Sequence, residues 1–457
     1  MYFVFLRVKE NIFVVLLTIL SFQILSQPNI EWKSTIGGAS FDRPNAIKEV
    51  SDGGYIVVGS TLILDGDTSS GHPGYHGNSD WCVAKFDNSG SVEWTKCIGG
   101  SISEEAMSID ETSDGAIVIA GYSNSIDGDI VDSINNGEDM LIIKLDFQGN
   151  ILWQKRYDGG AHDRAHFIQK TSDSGFIVAG SKQNALFNFN GNDFWILKLD
   201  IDGDIIWQKT FGGTDEDLAY QIKQTSDGGY IVGGSTMSSD GDVTGINLDN
   251  QRDTWVIKID SIGDIQWQRR FEEISTQYLI SIMQSIDGGY ILNNENSGTY
   301  GPTMIKLDEF GSTEWQNNYK ASNEICEFQS GEFLILGGCY ASPSFNYYLA
   351  KISNLGVVQW EECFGDSLDN NDAQSMDLTT DGGIILAGIT SPISMVNWDF
   401  EIIKLNIQTS SIFNHLPSNK ELINIYDIMG RDTAPVLNKI LFYQYSDGSI
   451  EKKIIIE

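Results

Sequence analysis

Three Asp-Gly-Asp tripeptides in the long loops of the chain are the first candidates for chemistry in this sequence. They stand at residues 65–67, 127–129 and 240–242. Paired carboxylates among Gly, Asn and Ser supply the hard oxygen ligands that calcium prefers. Asp-Gly is also ordinary turn chemistry on an acidic surface, and this second interpretation stays open. We therefore predict a binding site with calcium as an optional ligand and no required cofactor, carried by Asp65, Asp67, Asp127, Asp129, Asp240 and Asp242.

Two histidine pairs are weaker candidates. His162 and His166 lie four residues apart, a spacing that suits a metal when a helix presents both rings. This segment aligns with residues 214–220 of a following repeat, which predicts instead a loop that enters a strand. His72 and His76 lie in a Gly-rich loop. The sequence contains no nucleophile elbow, phosphate-binding loop or zinc-protease motif, so no catalytic residue is predicted.

Composition limits the partners of the chain. Its 457 residues include 63 Asp and Glu against 29 Lys and Arg, a formal net charge of −34. Such a surface excludes general binding to nucleic acid or anionic lipid, because phosphate recognition needs clustered cations. Apolar residues make up 41% and aromatic residues 11%, which is ample material for a core. The 47 Gly against 8 Pro indicate many tight turns.

The first 26 residues are predicted to be a secretory signal peptide. Arg7 and Lys9 precede an apolar run from residue 12 to 20, and Ser26 offers a small residue for cleavage. The alternative is a membrane anchor, but the run is short for a spanning helix of about 20 apolar residues. No other segment is long and apolar enough, so the mature chain is expected to have no transmembrane helix and to pass through the periplasm.

Five cysteines remain in a chain predicted to enter an oxidising compartment. Cys82 and Cys97 flank one predicted hairpin turn, and Cys326 and Cys339 flank another. Two local disulfides with a lone Cys363 is one hypothesis, and five reduced thiols is the other. The chain has no Cys-x-x-Cys, so a zinc ribbon or redox pair is not expected.

An internal repeat fills most of the chain. Its first signature is a Lys within an apolar run, followed nine residues later by Trp, in six copies. Gly stands five residues after most of these lysines, which predicts a hairpin with a positive φ in its turn. An aspartate five residues before Lys also recurs, and it predicts either a cap on each strand or a ring of carboxylates. The predicted anchors of the repeat are Trp94, Trp153, Trp207, Trp267, Trp315 and Trp360, with Trp32 near the N-terminus.

The second signature is an Asp-Gly-Gly turn between two apolar runs, as in residues 52–59 and 227–234. It predicts a second hairpin, so that each repeat has four strands. Seven repeats of about 55 residues predict an all-β fold, a seven-bladed β-propeller with four antiparallel strands per blade. We expect the N-terminal strand, residues 30–36, to complete the last blade and close the ring. The rival is that Ile412 and Phe413 complete that blade locally.

The predicted domains are the signal peptide (1–26), the propeller (27–409), a linker (410–419) and a C-terminal segment (420–457). The connections between the two hairpins are long in the first four repeats, at residues 60–79, 123–138, 181–192 and 235–252. Because equivalent positions in successive blades share a face, we expect these loops to emerge together. Loops on a rigid scaffold are where binding usually occurs.

The last forty residues break the repeat and predict a small β-unit. They contain Tyr-Asp-Ile-Met-Gly-Arg at 426–431 and end in Asp-Gly-Ser-Ile-Glu-Lys-Lys-Ile-Ile-Ile-Glu at 447–457. This segment resembles, in shortened form, the C-terminal sorting domain of proteins exported by the type IX secretion system of Bacteroidota. The resemblance implies the secretion machinery as a partner, and release or attachment at the outer cell surface. The residues that carry it are Gly430, Arg431, Asp447, Gly448, Lys452 and Lys453.

Three functions fit these observations. The first is a secreted or cell-surface propeller that acts as a non-enzymatic binding or adhesion module, with an extracellular glycan or protein as its partner. The second is a polysaccharide-active hydrolase or lyase, which would need two carboxylates that converge in a funnel. The third is a structural component of the surface layer. The fold by itself does not choose between them.

Overall fold

The computed structural model describes residues 4–8, 11–15, 29–37, 41–62, 76–131, 137–183, 191–245, 251–272, 276–296, 302–328, 331–365, 368–393, 398–406, 422–426, 431, 440–445 and 450–454. Every regular element in these residues is a β-strand. Seven of the sheets contain four antiparallel strands each. The predicted seven-bladed β-propeller is therefore confirmed.

Six blades are built from four consecutive strands each. Blade 1 has β4 (Asp42–Glu49), β5 (Tyr55–Thr61), β6 (Asp80–Phe86) and β7 (Val92–Ile98); blade 2 has β8 (Glu104–Glu111), β9 (Ile117–Ser123), β10 (Asp139–Leu145) and β11 (Ile151–Tyr157); blade 3 has β12 (Asp163–Lys170), β13 (Phe176–Gln183), β14 (Asn192–Leu199) and β15 (Ile205–Phe211). Blade 4 has β16 (Asp217–Gln224), β17 (Tyr230–Thr236), β18 (Asp253–Ile259) and β19 (Ile265–Phe271); blade 5 has β20 (Gln277–Gln284), β21 (Tyr290–Asn296), β22 (Thr303–Leu307) and β23 (Thr313–Asn318); blade 6 has β24 (Glu324–Phe328), β25 (Glu332–Ala341), β26 (Ser344–Ile352) and β27 (Val358–Phe364).

Blade 7 takes its fourth strand from the other end of the chain. It contains β28 (Asp369–Leu378), β29 (Ile384–Pro392), β30 (Asp399–Asn406) and, as the outermost strand, β3 (Asn29–Ile36). Trp32 lies opposite Lys404 and Ile36 opposite Phe400. The predicted closure by the N-terminal strand is confirmed. Its rival, Ile412 and Phe413, lies outside the described residues.

The first strand of each blade lines the central channel, because these strands contact one another around the ring. The two hairpin turns of each blade lie on one end of the strands, which we call the turn face. The connections between hairpins, and those from one blade to the next, lie at the other end, which we call the loop face. The long connections noted in the sequence leave and enter strands at this loop face.

The two repeat signatures meet as an ion pair inside each blade. The lysine of the third strand is buried, and its ammonium contacts the acidic residue of the Asp-Gly-Gly turn or its variant. Burial acts to raise the pKa of Asp227, but hydrogen bonds from Thr225 and Lys258 outweigh it and lower that pKa to about 2. The seven pairs are Lys85–Asp52, Lys144–Asp114, Lys198–Asp173, Lys258–Asp227, Lys306–Asp287, Lys351–Glu332 and Lys404–Asp381.

The repeated tryptophans fasten each blade to the next. Each ring packs on the hairpin glycine of the following blade, where φ lies between +73° and +87°. A Cβ on Gly311 would lie 3.0 Å from the ring of Trp267, so the contact needs glycine for space as well as for φ. Trp94 also donates a hydrogen bond to the carbonyl of Phe147 at 3.0 Å. The pairs are Trp32–Gly90, Trp94–Gly149, Trp153–Gly203, Trp207–Gly263, Trp267–Gly311 and Trp315–Gly356, while Trp360 packs at the edge of the blade 6 and 7 core.

The propeller, residues 27–408, is one compact unit, and residues 1–26 and 409–457 form another. In the second unit β1 (Val4–Val8) pairs with β2 (Asn11–Val15), and β31 (Leu422–Tyr426), β32 (Ile440–Tyr445) and β33 (Ile450–Ile454) form an antiparallel sheet. Lys452 and Lys453 lie on β33, and Arg431 is exposed. Gly430, Asp447 and Gly448 lie outside the described residues. Across the described residues, no helix has the length and apolar character that a membrane span requires.

The predicted local disulfides are wrong. Cys339 is bonded to Cys363, whereas Cys82, Cys97 and Cys326 take no part in a disulfide. The alternative of five reduced thiols is therefore wrong as well. Cys326 lies opposite Leu334, near the start of β25, while Cys339 lies opposite Asn346 at the far end of that strand. The bond joins β25 to β27 across the intervening strand, a pairing that spacing along the chain does not indicate.

Candidate functional site

A cavity of about 450 Å³ opens on the loop face, at the mouth of the channel beside blades 2 to 4. The starts of two channel-lining strands, β12 and β16, supply much of its wall. The end of β13, the start of β14 and Glu138, just before β10, supply the rest. Its lining residues are Glu138, His162, Arg164, His166, Ser181, Gln183, Asn192, Glu216, Leu218 and Tyr220. The wall is therefore mostly polar, with two imidazoles and one phenol.

A bulge in each inner strand places two of these rings. The register of β12 shifts after Ala165 and that of β16 after Ala219, so His166 and Tyr220 fall outside the strand pairing. Their rings lie 5.4 Å apart at an angle of 64°. The prediction that the His162–His166 segment is a loop entering a strand is confirmed, since β12 begins at Asp163. That strand geometry replaces the helical spacing on which a histidine metal site would depend.

Two arginines are held at the channel mouth by carboxylates and aromatic rings. Arg164 donates through Nε to Glu138, and its guanidinium lies 4.6 Å from the ring centroid of Tyr122. Arg252 donates through Nη2 to Glu216, and it lies 5.5 Å from a second tyrosine ring, that of Tyr278. Such contacts fix the planes of both guanidinium groups before any ligand arrives.

The two histidines of the cavity have different surroundings. The amide of Glu138 donates to Nδ1 of His162 at 3.4 Å, which leaves Nε2 as the donor side of that ring. Burial, with a contribution from Arg164, lowers the pKa of His166 to about 4. His166 is therefore neutral at pH 7. The cavity thus offers several donors and acceptors in fixed positions.

The aspartates predicted as binding residues do not line this cavity. Asp127 accepts a hydrogen bond from the amide of Ser101 at 2.7 Å, and Asp240 accepts one from the amide of Thr214 at 2.8 Å. The amides of Asp129 and Asp242 bind the carbonyls of Gly99 and Gly212. These loops therefore fasten the connections between blades. Asp65 and Asp67 lie outside the described residues, and the calcium site stays a prediction.

One set of three acidic side chains in the described part of the chain has the spacing of a metal site. Oxygens of Asp139, Asp158 and Asp163 lie within 4.8 Å of one another. Arg156 already donates to Asp139 at 2.6 Å, and both of these side chains are buried. The guanidinium supplies the positive charge that a metal would otherwise bring.

The aspartates that precede each lysine lie where one blade meets the next. Asp80 begins β6 and Asp193 lies at the start of β14, and both are buried. Each lies beside the acidic residue that begins the next inner strand, Glu104 and Asp217 respectively. In blade 2, Arg156 balances the charge of Asp139, whereas the equivalent position in blade 3 is the neutral Thr210. Burial, with the nearby Asp193 as a smaller cause, raises the pKa of Asp217 to about 6.

This arrangement predicts a pH dependence of stability to which Asp217 contributes. A carboxyl with a pKa of about 3.8 unfolded and about 6 folded binds its proton more tightly in the folded state, so its contribution to stability falls as pH rises between those values. Between pH 7 and pH 5 the gain is about 1 kcal/mol for one group. The measurement is the free energy of unfolding in urea at pH 7 and at pH 5. In Asp217→Asn we expect this free energy to increase less between the two pH values than it does in wild type.

The half-buried turn residue Asp260 provides the control, because hydrogen bonds from its own turn lower its pKa. Asp260→Asn should therefore keep the wild-type change between pH 7 and pH 5. His166 contributes with the opposite sign, since its lowered pKa favours the folded state at higher pH. An identical pH dependence in Asp217→Asn and wild type would contradict the assignment.

No family model matches the sequence, and a search of curated proteins finds no match. Among solved structures the chain is similar to a protein of unknown function from Dyadobacter fermentans, at 9% identity and a TM-score of 0.46, over 83% of this chain and 99% of that chain. It is also similar to the WD40 domain of Pan2 from Neurospora crassa, at 10% identity and a TM-score of 0.44, over 80% and 89%. The NanB sialidase of Streptococcus pneumoniae gives 9% identity and a TM-score of 0.44, over 83% and 71%. At these values no activity or ligand is transferred to this chain.

Proposed function

We propose that the protein is a secreted or surface-attached binding module that holds a neutral saccharide at the mouth of its channel without cleaving it. The observation that carries this proposal is the cavity beside blades 2 to 4, whose polar groups are already paired and oriented. Binding sites of this kind combine a concave shape with a few fixed polar groups.

The charges at the mouth favour a neutral ligand. Glu105, Glu138 and Glu216 face two arginines, Arg164 and Arg252, so carboxylates are in slight excess there. The hydroxyl of Tyr122 donates to Glu105 at 2.6 Å. An anionic sugar would meet repulsion, whereas hydroxyl groups can both donate to the carboxylates and accept from Nε2 of His162 and from the amides of Asn192 and Gln183.

Export is part of the same proposal. The basic and then apolar N-terminus and the tail that resembles a type IX sorting domain support delivery to the outer cell surface. An acidic exterior agrees with a module that stays soluble there and does not adhere to anionic lipid.

A hydrolase or lyase is the second candidate, and one residue favours it. Glu324 lies on the inner strand β24, and burial raises its pKa to about 7, against the opposing effect of Lys223. A carboxyl with such a pKa can act as an acid or a base near neutral pH. Lys223 itself lies 4.5 Å from the ring centroid of Phe167. A role in catalysis would require a substrate that enters the channel.

The test is retardation in native gels that contain one soluble neutral polysaccharide each: dextran, mixed-linkage β-glucan, xyloglucan or galactomannan. We expect at least one to retard the wild-type chain, and Arg164→Gln to weaken that binding at least tenfold, about 1.4 kcal/mol, because it removes a fixed cationic donor. Lys209→Gln is the matched control, since it breaks an exposed ion pair with Asp264 away from the cavity.

Each gel is run with calcium and with EDTA, and reducing ends are measured in parallel. Loss of retardation in EDTA would support the calcium prediction for the Asp-Gly-Asp loops. If wild type produces new reducing ends and Glu324→Gln does not, the hydrolase becomes the better proposal and the non-enzymatic binding module is rejected. Retardation by none of the four polymers, or equal weakening by both variants, would contradict the proposed site.

A further inference from the structure

A second surface on the loop face carries exposed aromatic side chains. Tyr340 and Phe345 lie at the tip of the β25–β26 hairpin of blade 6, with 64% and 57% of their surfaces exposed. Trp398, just before β30 of blade 7, is 41% exposed. Five aromatic side chains are exposed among the described residues of the chain, and three of them lie here.

Two aromatic pairs and two aliphatic side chains lie at the loop ends of three neighbouring blades. The rings of Tyr340 and Phe345 lie 5.3 Å apart, and those of Trp398 and Phe41 lie 5.2 Å apart, both edge to face. Between the two ring pairs, the exposed Leu368 and Ile393 are joined by a backbone hydrogen bond of 3.1 Å. We call Tyr340, Phe345, Leu368, Ile393, Trp398 and Phe41 the aromatic arc.

Hydrogen bonds fix the arc to the inner strands of blades 7 and 1. The amide of Phe345 donates to Oδ1 of Asn370 at 3.1 Å, and the amide of Asp42 donates to the carbonyl of Trp398 at 2.7 Å. Beside the arc, Arg43 donates to Gln374, which in turn donates to Asp372. Exposed rings, held through their backbones, are thus presented to solvent with amides and charged groups along one side.

We propose that the aromatic arc is a second binding surface, and that its ligand is a neutral polysaccharide chain lying across blades 6, 7 and 1. Pyranose rings present C–H groups on their faces and hydroxyls around their edges. They therefore pack on exposed aromatic rings while bonding to polar neighbours. The arc is separate from the cavity beside blades 2 to 4, and it shares with the proposed function only the class of ligand.

Charge selects this ligand over the other candidates for an apolar surface. The chain carries a formal net charge of −34, so an anionic polymer, an anionic membrane and a second copy of the chain are each disfavoured by repulsion. A neutral polymer meets no such penalty. Repeated pyranose units also match a band of several rings better than a single small molecule does.

The experiment compares four chains in the same polysaccharide gels: wild type, Tyr340→Ser/Phe345→Ser/Trp398→Ser, Arg164→Gln and Phe310→Ser. Phe310 is 73% exposed in a hairpin turn on the turn face, so it matches the arc residues in type and exposure but not in place. We expect the triple variant to lose at least tenfold in affinity for the polymer that retards wild type, and Phe310→Ser to bind as wild type.

The outcomes separate the arc from the cavity. If the triple variant binds the polymer more weakly and Arg164→Gln binds it as wild type does, the arc is retained and the cavity is rejected. If only Arg164→Gln binds more weakly, the arc is rejected. Equal weakening in Phe310→Ser, or retardation of wild type by polygalacturonate but by no neutral polymer, would overturn the proposal. A third contrary result is that wild type self-associates in sedimentation velocity, the triple variant does not, and no polymer retards either chain. The occupant of the arc would then be a second copy. Near-ultraviolet circular dichroism confirms that each exposed-site variant is folded.

Discussion

A chain that starts at Phe41, and so lacks β3, is expected not to fold cooperatively. Strand β3 supplies the backbone partners of β30 from Asn29 to Ile36, and Trp32 packs on Gly90 of blade 1. Removing it leaves blade 7 with three strands and an apolar edge that faces solvent. The contact of Trp32 with Gly90, one of the links between the last and first blades, is lost with it. The loss should be comparable to the whole stability of a domain, roughly 5–15 kcal/mol.

Urea unfolding followed by tryptophan fluorescence measures this effect. The control is a chain that starts at Gln27, which lacks only the predicted signal peptide and should unfold in one cooperative transition. Trp32→Ala within that control isolates the contact with blade 1 and should cost about 3 kcal/mol or more. If the chain that starts at Phe41 unfolds at the same urea concentration as the control, closure by β3 is wrong.

The buried arginine of blade 4 gives the second largest expected effect. Arg270 donates through Nε and Nη2 to Asp253, and through Nη1 to the carbonyl of Ser238. Both charged side chains are 3% exposed. Arg270→Met removes the cation and leaves a carboxylate in a site from which water is largely excluded. We expect a loss of about 3–5 kcal/mol in the free energy of unfolding at pH 7.

Two further measurements identify the cause of that loss. Arg270→Met/Asp253→Asn should regain most of the stability, because it removes the uncompensated charge. The single variant should also recover part of it as the pH falls, because protonation removes the charge that Arg270 no longer balances. Lys209→Met, which breaks the exposed pair with Asp264, should cost less than about 1 kcal/mol. A loss in Arg270→Met that neither the second substitution nor acid reverses would point to lost packing instead.

The fold could be predicted because characteristic residue types recur at a fixed spacing in each repeat. The lysine and tryptophan nine residues apart define one hairpin, and the Asp-Gly-Gly turn defines the other. What the spacing did not indicate is that the two signatures bind each other, as Lys258 binds Asp227. That contact joins two hairpins, and sequence distance carries little information about such pairs. For the same reason, the spacing of the cysteines does not indicate the Cys339–Cys363 bond.

The candidate site was harder to predict because no motif marks it. Its residues lie on blades 2, 3 and 4, and they meet only through the curvature of the ring. His166 and Tyr220 reach the channel mouth because each falls on a bulge, which the sequence pattern does not show. The Asp-Gly-Asp loops stood out as motifs, yet the described carboxylates, such as Asp127 and Asp240, bind backbone amides. These bonds hold the described loops in place, and calcium binding at the same aspartates stays a prediction.

The most direct test of the account is to incubate the folded chain with each neutral polysaccharide and to measure bound protein and new reducing ends in the same sample. The account predicts saturable binding to at least one polymer, weakened at least tenfold by Arg164→Gln, with no increase in reducing ends over time. Cleavage of a polymer, or binding that Arg164→Gln leaves unchanged, would contradict it.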